Sequence, residues 1–317
     1  MALGTSHQTG SGVAAGTQGG LGTAGFIPEL WSDEVIGSYK NSLVLANLVK
    51  KMSFKGKKGD TVRIPKPARG SVNAKVAETQ VVLNAPAVSE LIVYINKHYE
   101  YSRLMEDITE VQSLASQRAF YTDDAGYALA KQVDSDLAAL AGGFQGSTAY
   151  STAVIGSDGS TVWDSTANTN TGNGASLTDV GIRNAIQILD DADVPLDQRV
   201  LVIPPSEKNA LLGIDRFTSS DFIGGDSRIL TAQFGSIYGV SVHVTTNLDT
   251  VVATDTTTNY KAAMLMHRDA LVHAEQMGIR SQSQYKQEYL GDLFTADTIY
   301  GVSEYRDECG VAIIVPA

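Results

Sequence analysis

The sequence has very little cysteine, with Cys309 alone among 317 residues. A single cysteine cannot form an intramolecular disulfide, and the residues around Cys309 lack the spacing of metal ligands. We expect Cys309 to lie on a strand near the C-terminus. The sequence also lacks an apolar run of about eighteen residues, so it predicts no membrane-spanning helix. The first residues have neither the basic nor the apolar region of a secretory signal, and we expect none.

Motifs for catalysis and metal binding are also missing. The histidines are His7, His98, His243, His267 and His273. None of them has a second ligand at close spacing, although His267 and His273 look as if they lie on successive strands. There is no nucleophile elbow and no phosphate-binding loop. We therefore predict no enzymatic activity, no metal and no cofactor.

Two weaker patterns have simpler explanations. The segment Gly20–Gly25 matches a dinucleotide-binding fingerprint, but no strand precedes it and no acidic residue follows at the required distance. The acidic pairs Asp123–Asp124 and Asp190–Asp191 fit solvated helix faces. Neither pattern supports a reaction.

Charge is distributed unevenly along the chain, whose net charge is −11. The segment from Lys40 to Lys75 has ten basic residues and one acid, Asp60, a net charge of +9. The remainder has 14 basic and 34 acidic residues, a net charge of −20. An acidic body is a poor nucleic-acid binder, whereas a basic segment on an acidic body suits head-to-tail contact between identical copies. A solvated charge run without a partner is the alternative.

One long helix is predicted from Asp107 to about Ala141. Asp107 and Glu110 have the spacing of a capping box, and Gly142 with Gly143 would end the helix. Apolar or small residues recur in steps of three and four: Ile108, Val111, Ala115, Ala119, Thr122, Ala125, Leu129, Val133, Leu137 and Leu140. The predicted core positions are Val111, Ala115, Leu129, Val133 and Leu137. At 1.5 Å per residue this spine would be about 50 Å long, and it lacks the heptad pattern of the alternative, a coiled-coil arm.

A long β-hairpin is predicted before the spine. Its strands are Thr61–Pro65 and Glu90–Tyr101, which are rich in β-branched and aromatic residues. A two-stranded ribbon is marginal in water, so it needs another surface to lie on. Because the ribbon also carries the basic excess, we expect it to contact another subunit. The candidate contact residues are Lys55, Lys57, Lys58, Arg63, Lys66, Arg69 and Lys75.

The remaining segments mix helices and strands. Residues 1–25 are uncharged and rich in glycine, serine and threonine, and short helices are expected between Ile27 and Val49. Further expectations are a hairpin over Tyr150–Trp163, a helix capped by Ser176–Asp179, a strand at Arg199–Ile203, a helix from Ser206 to Leu211, and strands at Ile237–Thr245, Ala262–Met266, Ala270–Ala274, Thr298–Tyr305 and Val311–Val315. Helices and strands do not alternate strictly, which indicates an α+β fold.

The order of these parts resembles the major capsid protein of tailed bacteriophages, with the Hong Kong 97-type fold. The segments Gly235–Val244, Ala270–Ala274, Tyr300–Arg306 and Gly310–Val315 are similar to strands of that family. The resemblance implies an N-terminal arm with short helices at 1–58, the family's E-loop hairpin at 59–106, and a P-domain spine helix with its loops at 107–175. It further implies a mixed A-domain at 176–275 and a return to the A- and P-domain sheets at 276–317.

The resemblance also implies a function. The expected protein assembles into hexamers and pentamers of an icosahedral head around double-stranded DNA, with the E-loop across a neighbouring subunit. Expected partners are identical subunits, a separate scaffolding protein and a portal, with decoration proteins left open. DNA contact is expected to be weak and non-specific, no membrane is involved, and assembly takes place in the bacterial cytoplasm.

Several points stay open at this stage. The N-terminal tail is too short and too uniform for a scaffold domain, and whether maturation involves any cleavage is left open. Lys75 lies where some members crosslink a lysine to an asparagine, but the sequence identifies no partner and we predict no bond. One alternative is the shell of an encapsulin compartment, which holds a cargo protein instead of DNA. Another is a glycan-binding or hydrolytic globular protein that uses the loops rich in serine, threonine and asparagine.

Overall fold

The computed structural model describes residues 43–55, 58–67, 70, 72–81, 83, 88–106, 116–214 and 235–317. The predicted spine start at Asp107 and Glu110 lies outside these residues, as do the core positions Val111 and Ala115. The N-terminal tail and most of the expected helices between Ile27 and Val49 also lie outside them.

Four α-helices with regular geometry are present in the described part of the chain. They are α1 (Leu45–Leu48), α2 (Ser116–Ala139), α3 (Asp179–Asp191) and α4 (Pro205–Leu212). Tighter 3₁₀ segments follow at Leu140–Gly146 and Asp307–Cys309.

Thirteen strands form three sheets in the same residues. The strands are β1 (Lys50–Ser53), β2 (Thr61–Pro67), β3 (Val88–Tyr94), β4 (Lys97–Glu106), β5 (Val154–Ile155), β6 (Arg199–Ile203), β7 (Ser236–Ile237), β8 (Val240–Val244), β9 (Thr250–Val252), β10 (Asn259–His267), β11 (Leu271–Lys286), β12 (Gly291–Glu304) and β13 (Gly310–Pro316). The central sheet has the order β5-β13-β10-β6-β8-β7, with β9 beside β10. A second sheet has the order β1-β11-β12-β4, and β2 pairs with β3.

The central sheet forms the main core. Its strands β10 and β13 are nearly continuous apolar runs that pair antiparallel over seven residues, from Tyr260 with Pro316 to Met266 with Gly310. Such runs are typical of strands covered on both faces. Helix α3 contributes Ile182 and Leu189 to the same core. The mixed order of parallel and antiparallel pairs agrees with the α+β expectation.

The spine helix α2 connects the two large sheets. Leu129 packs with Ala125, Ala296 and the tyrosines of β4, over the second sheet. Leu137, near the other end of the helix, is fully buried in the main core, and Val133 between them is partly buried. The α-helix ends at Ala139, two residues before the predicted end, because the backbone tightens into a 3₁₀ segment.

The second sheet extends much farther than the sequence predicted. The expected strands Ala270–Ala274 and Thr298–Tyr305 are only parts of β11 and β12, which have 16 and 14 residues. These strands pair as one long hairpin, and β12 pairs with β4 along its other edge. The additional residues of β11 are mostly polar, and most of them are exposed, so they lack the apolar alternation that marks a strand covered on one face.

The predicted second strand of the hairpin was wrong. The segment Glu90–Tyr101 is divided at Ile95 and Asn96, so that β3 pairs with β2 whereas β4 joins the second sheet. At the division, Ile95 donates its N–H to the carbonyl of Asp60 at 2.8 Å. The chain thus leaves one sheet and enters another within two residues, which local composition does not reveal.

Smaller predictions also needed correction. Cys309 ends a 3₁₀ segment just before β13, where it is buried, and does not lie on a strand. Helix α3 is capped by the hydroxyl of Thr178, which accepts the N–H of Gly181 at 3.1 Å, and not by Ser176. Ser206 lies inside α4, because the preceding proline begins the helix. The hairpin over Tyr150–Trp163 is reduced to a single bridge between Val154 and Val162, since Val154 pairs with β13.

Candidate functional site

The ribbon formed by β2 and β3 has a root that packs on its own subunit. Val93 is fully buried and forms a small core with Val272 and Ala274 of β11. The partly buried residues around this core are Met52, Phe54, Val62, Ile64, Leu91 and Tyr305. The surface that the ribbon was expected to need is therefore supplied in part by the same chain. The alternation of apolar residues in β2 and β3 places one face of the ribbon against β11.

Close backbone approach fixes the root in place. Gly301 of β12 lies so near the end of β3 that an added Cβ would come 2.2 Å from the carbonyl oxygen of Tyr94. A larger residue at this position would displace the backbone of one strand. The side-chain amide of Gln276 also donates to the carbonyl of Gly59 at 3.0 Å. The root is thus held by packing, by one hydrogen bond and by a glycine contact.

The ribbon tip, which we define as residues 70, 72–81 and 83, lies in solvent. Its large apolar side chains are exposed by 100% at Val72, 65% at Val76, 64% at Val81 and 90% at Leu83. Isolated exposed apolar residues are ordinary, but four within twelve positions form an unusual concentration. Apolar groups concentrated at the end of an anchored element suit contact with another surface.

The basic residues of this region are partly neutralised within the chain. Lys55 lies 3.3 Å from Glu275, Arg63 lies 2.7 Å from Glu90, and Lys66 lies 3.9 Å from Glu308. All three basic side chains are more than half exposed, so these pairs contribute little to stability and can be exchanged for other partners.

The other predicted contact residues differ in their surroundings. Lys58 and Lys75 are exposed, and the Lys75 ammonium donates to the carbonyl of Val76 next to it. Lys57 and Arg69 lie outside the described residues. The predicted set therefore does not form one continuous unpaired basic surface in the described chain.

A buried carboxylate joins the spine to the segment before the ribbon, and sequence reasoning missed it. Asp134 of α2 is fully buried and accepts the backbone N–H groups of Val44 at 2.8 Å, Leu45 at 3.3 Å and Ala46 at 2.9 Å. These are the unsatisfied donors at the start of α1, which the carboxylate caps. The partners are about ninety positions apart in the chain, so no local pattern could have indicated them.

A second polar junction joins α2, β4 and β12. The Asp136 carboxylate lies 3.0 Å from the Lys97 ammonium and accepts the Tyr300 hydroxyl at 2.7 Å. Burial, together with this hydrogen bond to a carboxylate, raises the pKa of Tyr300 well above its usual range. The phenol therefore remains a hydrogen-bond donor at any physiological pH, which fixes the spine on its sheet.

The described residues contain no group of three or more histidine, cysteine, aspartate or glutamate side chains that could hold a metal ion. Within the same ranges, no helix is both long and apolar enough to cross a membrane.

The fold defines a class of protein. A spine helix over a sheet, a ribbon anchored at one end, and a separate mixed sheet form the Hong Kong 97-type capsid architecture that the sequence resembled. The family model described as "Phage capsid protein" matches residues 36–305. The chain belongs to this family of phage capsid proteins.

Solved structures similar to the chain are phage capsids and heads. The structure from Mycobacterium phage Che8 is 24% identical, with a TM-score of 0.72 over 91% of this chain and 97% of that one. The capsid of the cyanophage P-SCSP1u is 16% identical, with a TM-score of 0.73 over 94% and 95% of the two chains. The head of Helicobacter pylori bacteriophage KHP40 is 11% identical, with a TM-score of 0.70 over 94% and 98%. No curated protein sequence matches the chain.

Proposed function

We propose that this chain is the major capsid protein of a phage head, and that its ribbon tip contacts a neighbouring subunit in each hexamer and pentamer. The observation that carries the contact is the cluster of apolar side chains at the tip of a ribbon whose root is buried. Burying such side chains against another subunit removes apolar surface from water, at about 25 cal/mol per Å². The role is structural, and no reaction is assigned.

Charge supports the proposal in a second way. Weak intramolecular ion pairs such as Lys66 with Glu308 can exchange for pairs with an acidic neighbour as the lattice closes. The net charge of −11 also favours an inner wall along which double-stranded DNA slides with only weak, non-specific contact. A separate scaffolding protein, a portal and assembly in the bacterial cytoplasm belong to the same proposal, and decoration proteins stay open.

The experiment compares two pairs of substitutions. In the tip variant, Val81→Ser and Leu83→Ser remove apolar surface that is already in solvent, so the fold and its unfolding midpoint should not change. The yield of closed particles, measured by sedimentation and negative-stain imaging, should fall at least tenfold.

The matched control changes exposed apolar residues on the body, with Leu196→Ser and Val252→Ser, and should assemble as the parent does. If the tip variant forms particles with the parent's yield, the proposed tip contact is wrong. If the parent protein itself remains a monomer, the proposed capsid function is wrong, whatever the tip variant does.

A further inference from the structure

The second sheet has one long edge that no strand covers in the described part of the chain. Its strand order is β1-β11-β12-β4, so β4 pairs with a strand on one side only. That pairing runs from Lys97 with Tyr300 to Glu106 with Gly291 without a register shift. The other side of β4 therefore offers a regular row of backbone N–H and C=O groups to another strand.

The strand β4 lacks several features by which proteins block strand addition. Edge strands are commonly short, bulged or interrupted by proline. β4 has ten residues, and none of them is proline. The outer edge of β11, by contrast, is covered by β1 at Val272–Glu275 and then shifts register twice before Arg280. Of these two edges, β4 is the one that suits an added strand.

The side chains of β4 leave this edge accessible. On one face of the strand, Tyr99 and Tyr101 are packed in a small core with Leu129 of the spine. On the other face, Glu100 and Ser102 are exposed. The spine thus covers one face of β4, and the opposite face is open to the side chains of a further strand.

The sequence of β4 restricts how a second copy of this strand could be added. Two copies can pair antiparallel about a two-fold axis perpendicular to the sheet, and one residue then lies opposite its own counterpart. An axis at Glu100 or at Arg103 places like charges directly opposite each other, which is unfavourable. An axis at Tyr101 opposes two rings that already pack towards the spines. Axes nearer either end of β4 pair fewer residues.

An axis at Ser102 avoids these conflicts. Two small hydroxyl side chains then meet at the axis. His98 lies opposite Glu106 of the second copy, and Tyr101 lies opposite Arg103 of the second copy. Imidazole with carboxylate and aromatic ring with guanidinium are favourable cross-strand pairs, and symmetry repeats each of them.

We propose that β4 pairs with β4 of a second copy about a two-fold axis at Ser102, and that this contact joins neighbouring capsomers. The inference rests on the proposed capsid function. The contact of the ribbon tip is head-to-tail, so it closes rings. Rings need a further contact to form a shell, and a two-fold contact between subunits of adjacent rings supplies it.

The contact is weak in a single pair of subunits. One strand pair buries less than the roughly 1,600 Å² of a standard stable interface. Free subunits therefore do not dimerise through β4 in dilute solution, whereas the many linked copies in two rings strengthen one another.

A single introduced cysteine tests the axis. Ser102→Cys places two thiols opposite each other only if the contact is two-fold, because in a head-to-tail contact each thiol faces a different residue. The native Cys309 is buried and does not interfere. After mild oxidation of assembled particles, we expect covalent dimers as the main product on a non-reducing gel.

The matched control is Glu100→Cys on the same face of the same strand. With the axis at Ser102, Glu100 lies opposite Leu104 of the second copy, so the two introduced thiols are separated by about 13 Å along the strands. This distance is beyond the reach of a disulfide. We expect at least fivefold less dimer than from Ser102→Cys, and the double variant Glu100→Cys with Leu104→Cys should restore the dimer.

A charge at the axis tests whether the contact joins capsomers. Ser102→Glu places two carboxylates opposite each other and should lower the yield of closed particles at least tenfold, while separate rings still sediment. Gln282→Glu adds the same charge at an exposed position of the same sheet and should assemble as the parent does. Circular dichroism establishes that both variants fold.

Three results overturn the inference. They are closed particles of Ser102→Cys that give no covalent dimer, equal amounts of dimer from Ser102→Cys and Glu100→Cys, and normal shells from Ser102→Glu. Each of them leaves the capsid function intact, because it requires that the parent protein forms shells. If the parent forms no shells, the capsid function itself is wrong.

Discussion

At the scale of single residues, the most consequential group is the Asp134 carboxylate. It is fully buried and accepts three backbone N–H groups, so its charge is compensated by donors at the start of α1 that have no partner within the helix. A buried carboxylate is costly unless it is hydrogen-bonded in this way. The start of the described chain is therefore attached to the spine by one side chain.

Asp134→Ala should destabilise the protein by about 2–4 kcal/mol, because one buried and two partly buried N–H groups lose their acceptor. Chemical denaturation followed by circular dichroism measures this change. Asp191→Ala, at an exposed acidic residue at the end of α3, is the control and should stay within about 0.5 kcal/mol of the parent. Equal stability of the two variants would show that the carboxylate does not act as a cap.

His273 predicts a pH dependence of stability. Burial lowers its pKa below the ordinary value of 6.5, so the unfolded chain binds this proton more readily than the folded one does. Its stabilising contribution is complete above about pH 6.5 and is lost as the pH falls through the interval between the two pKa values. Unfolding midpoints measured from pH 7.5 to 5 should fall less steeply for His273→Gln than for the parent. If the unfolding midpoints of the parent and of His273→Gln fall equally with pH, His273 is not the source of this pH dependence.

At the scale of elements, the spine and the ribbon were predictable to different degrees. The three-and-four spacing in α2 predicted the helix and an apolar face, and Leu129 and Leu137 are buried on that face. The ribbon's pairing partners were also foreseeable, because β2 and β3 are each rich in β-branched residues. The division between β3 and β4 was not foreseeable, since it depends on β12 offering an edge to β4.

The long β11–β12 hairpin shows why local composition alone does not predict the full length of a strand. Its outer half includes Ser281, Gln282, Ser283 and Gln284, polar residues that fit a loop as well as a strand. Hydrogen bonds to β12, and from β12 to β4, determine the structure of this segment. Such pairing over distance overrides the weak local preference.

Leu129→Asp tests the spine directly. The side chain is 3% exposed among Ala125, Ala296 and the aromatic residues of β4 and β12, so an unpaired charge there should cost about 4 kcal/mol or more. We expect insoluble protein or loss of cooperative unfolding. Ser135→Asp adds the same charge at an exposed position of the same helix and should fold normally. A soluble Leu129→Asp variant with the parent's unfolding midpoint would contradict the packing.

At the scale of the whole molecule, the sequence indicated the uneven charge, and the structure shows where part of it is neutralised. Three basic residues of the ribbon region pair with Glu275, Glu90 and Glu308 of the same chain. A count of charges along the sequence cannot reveal such pairs. The Asp134 cap was likewise hidden, because its residues come from segments far apart in the chain.

Changing Lys57 and Lys58 together to glutamate should impair assembly without changing helix content. The substitution reverses two charges of the basic segment, which weakens attraction to an acidic neighbour. The rate of assembly, followed by light scattering, should fall at least fivefold. Added salt should slow assembly of the parent protein as well, because the Debye length is only about 10 Å at 0.1 M salt and exposed charges are screened. If the double variant forms normal particles at the parent's rate, attraction between the basic segment and an acidic neighbour does not drive assembly. The description of the fold would be unaffected.

The most direct measurement of the central claim is a cryo-electron microscopy map of the purified, concentrated protein. The account predicts closed icosahedral shells of hexamers and pentamers, in which Val81 and Leu83 of each ribbon tip lie against an adjacent subunit. Monodisperse monomers at high concentration, or shells whose ribbon tips remain in solvent, would contradict it.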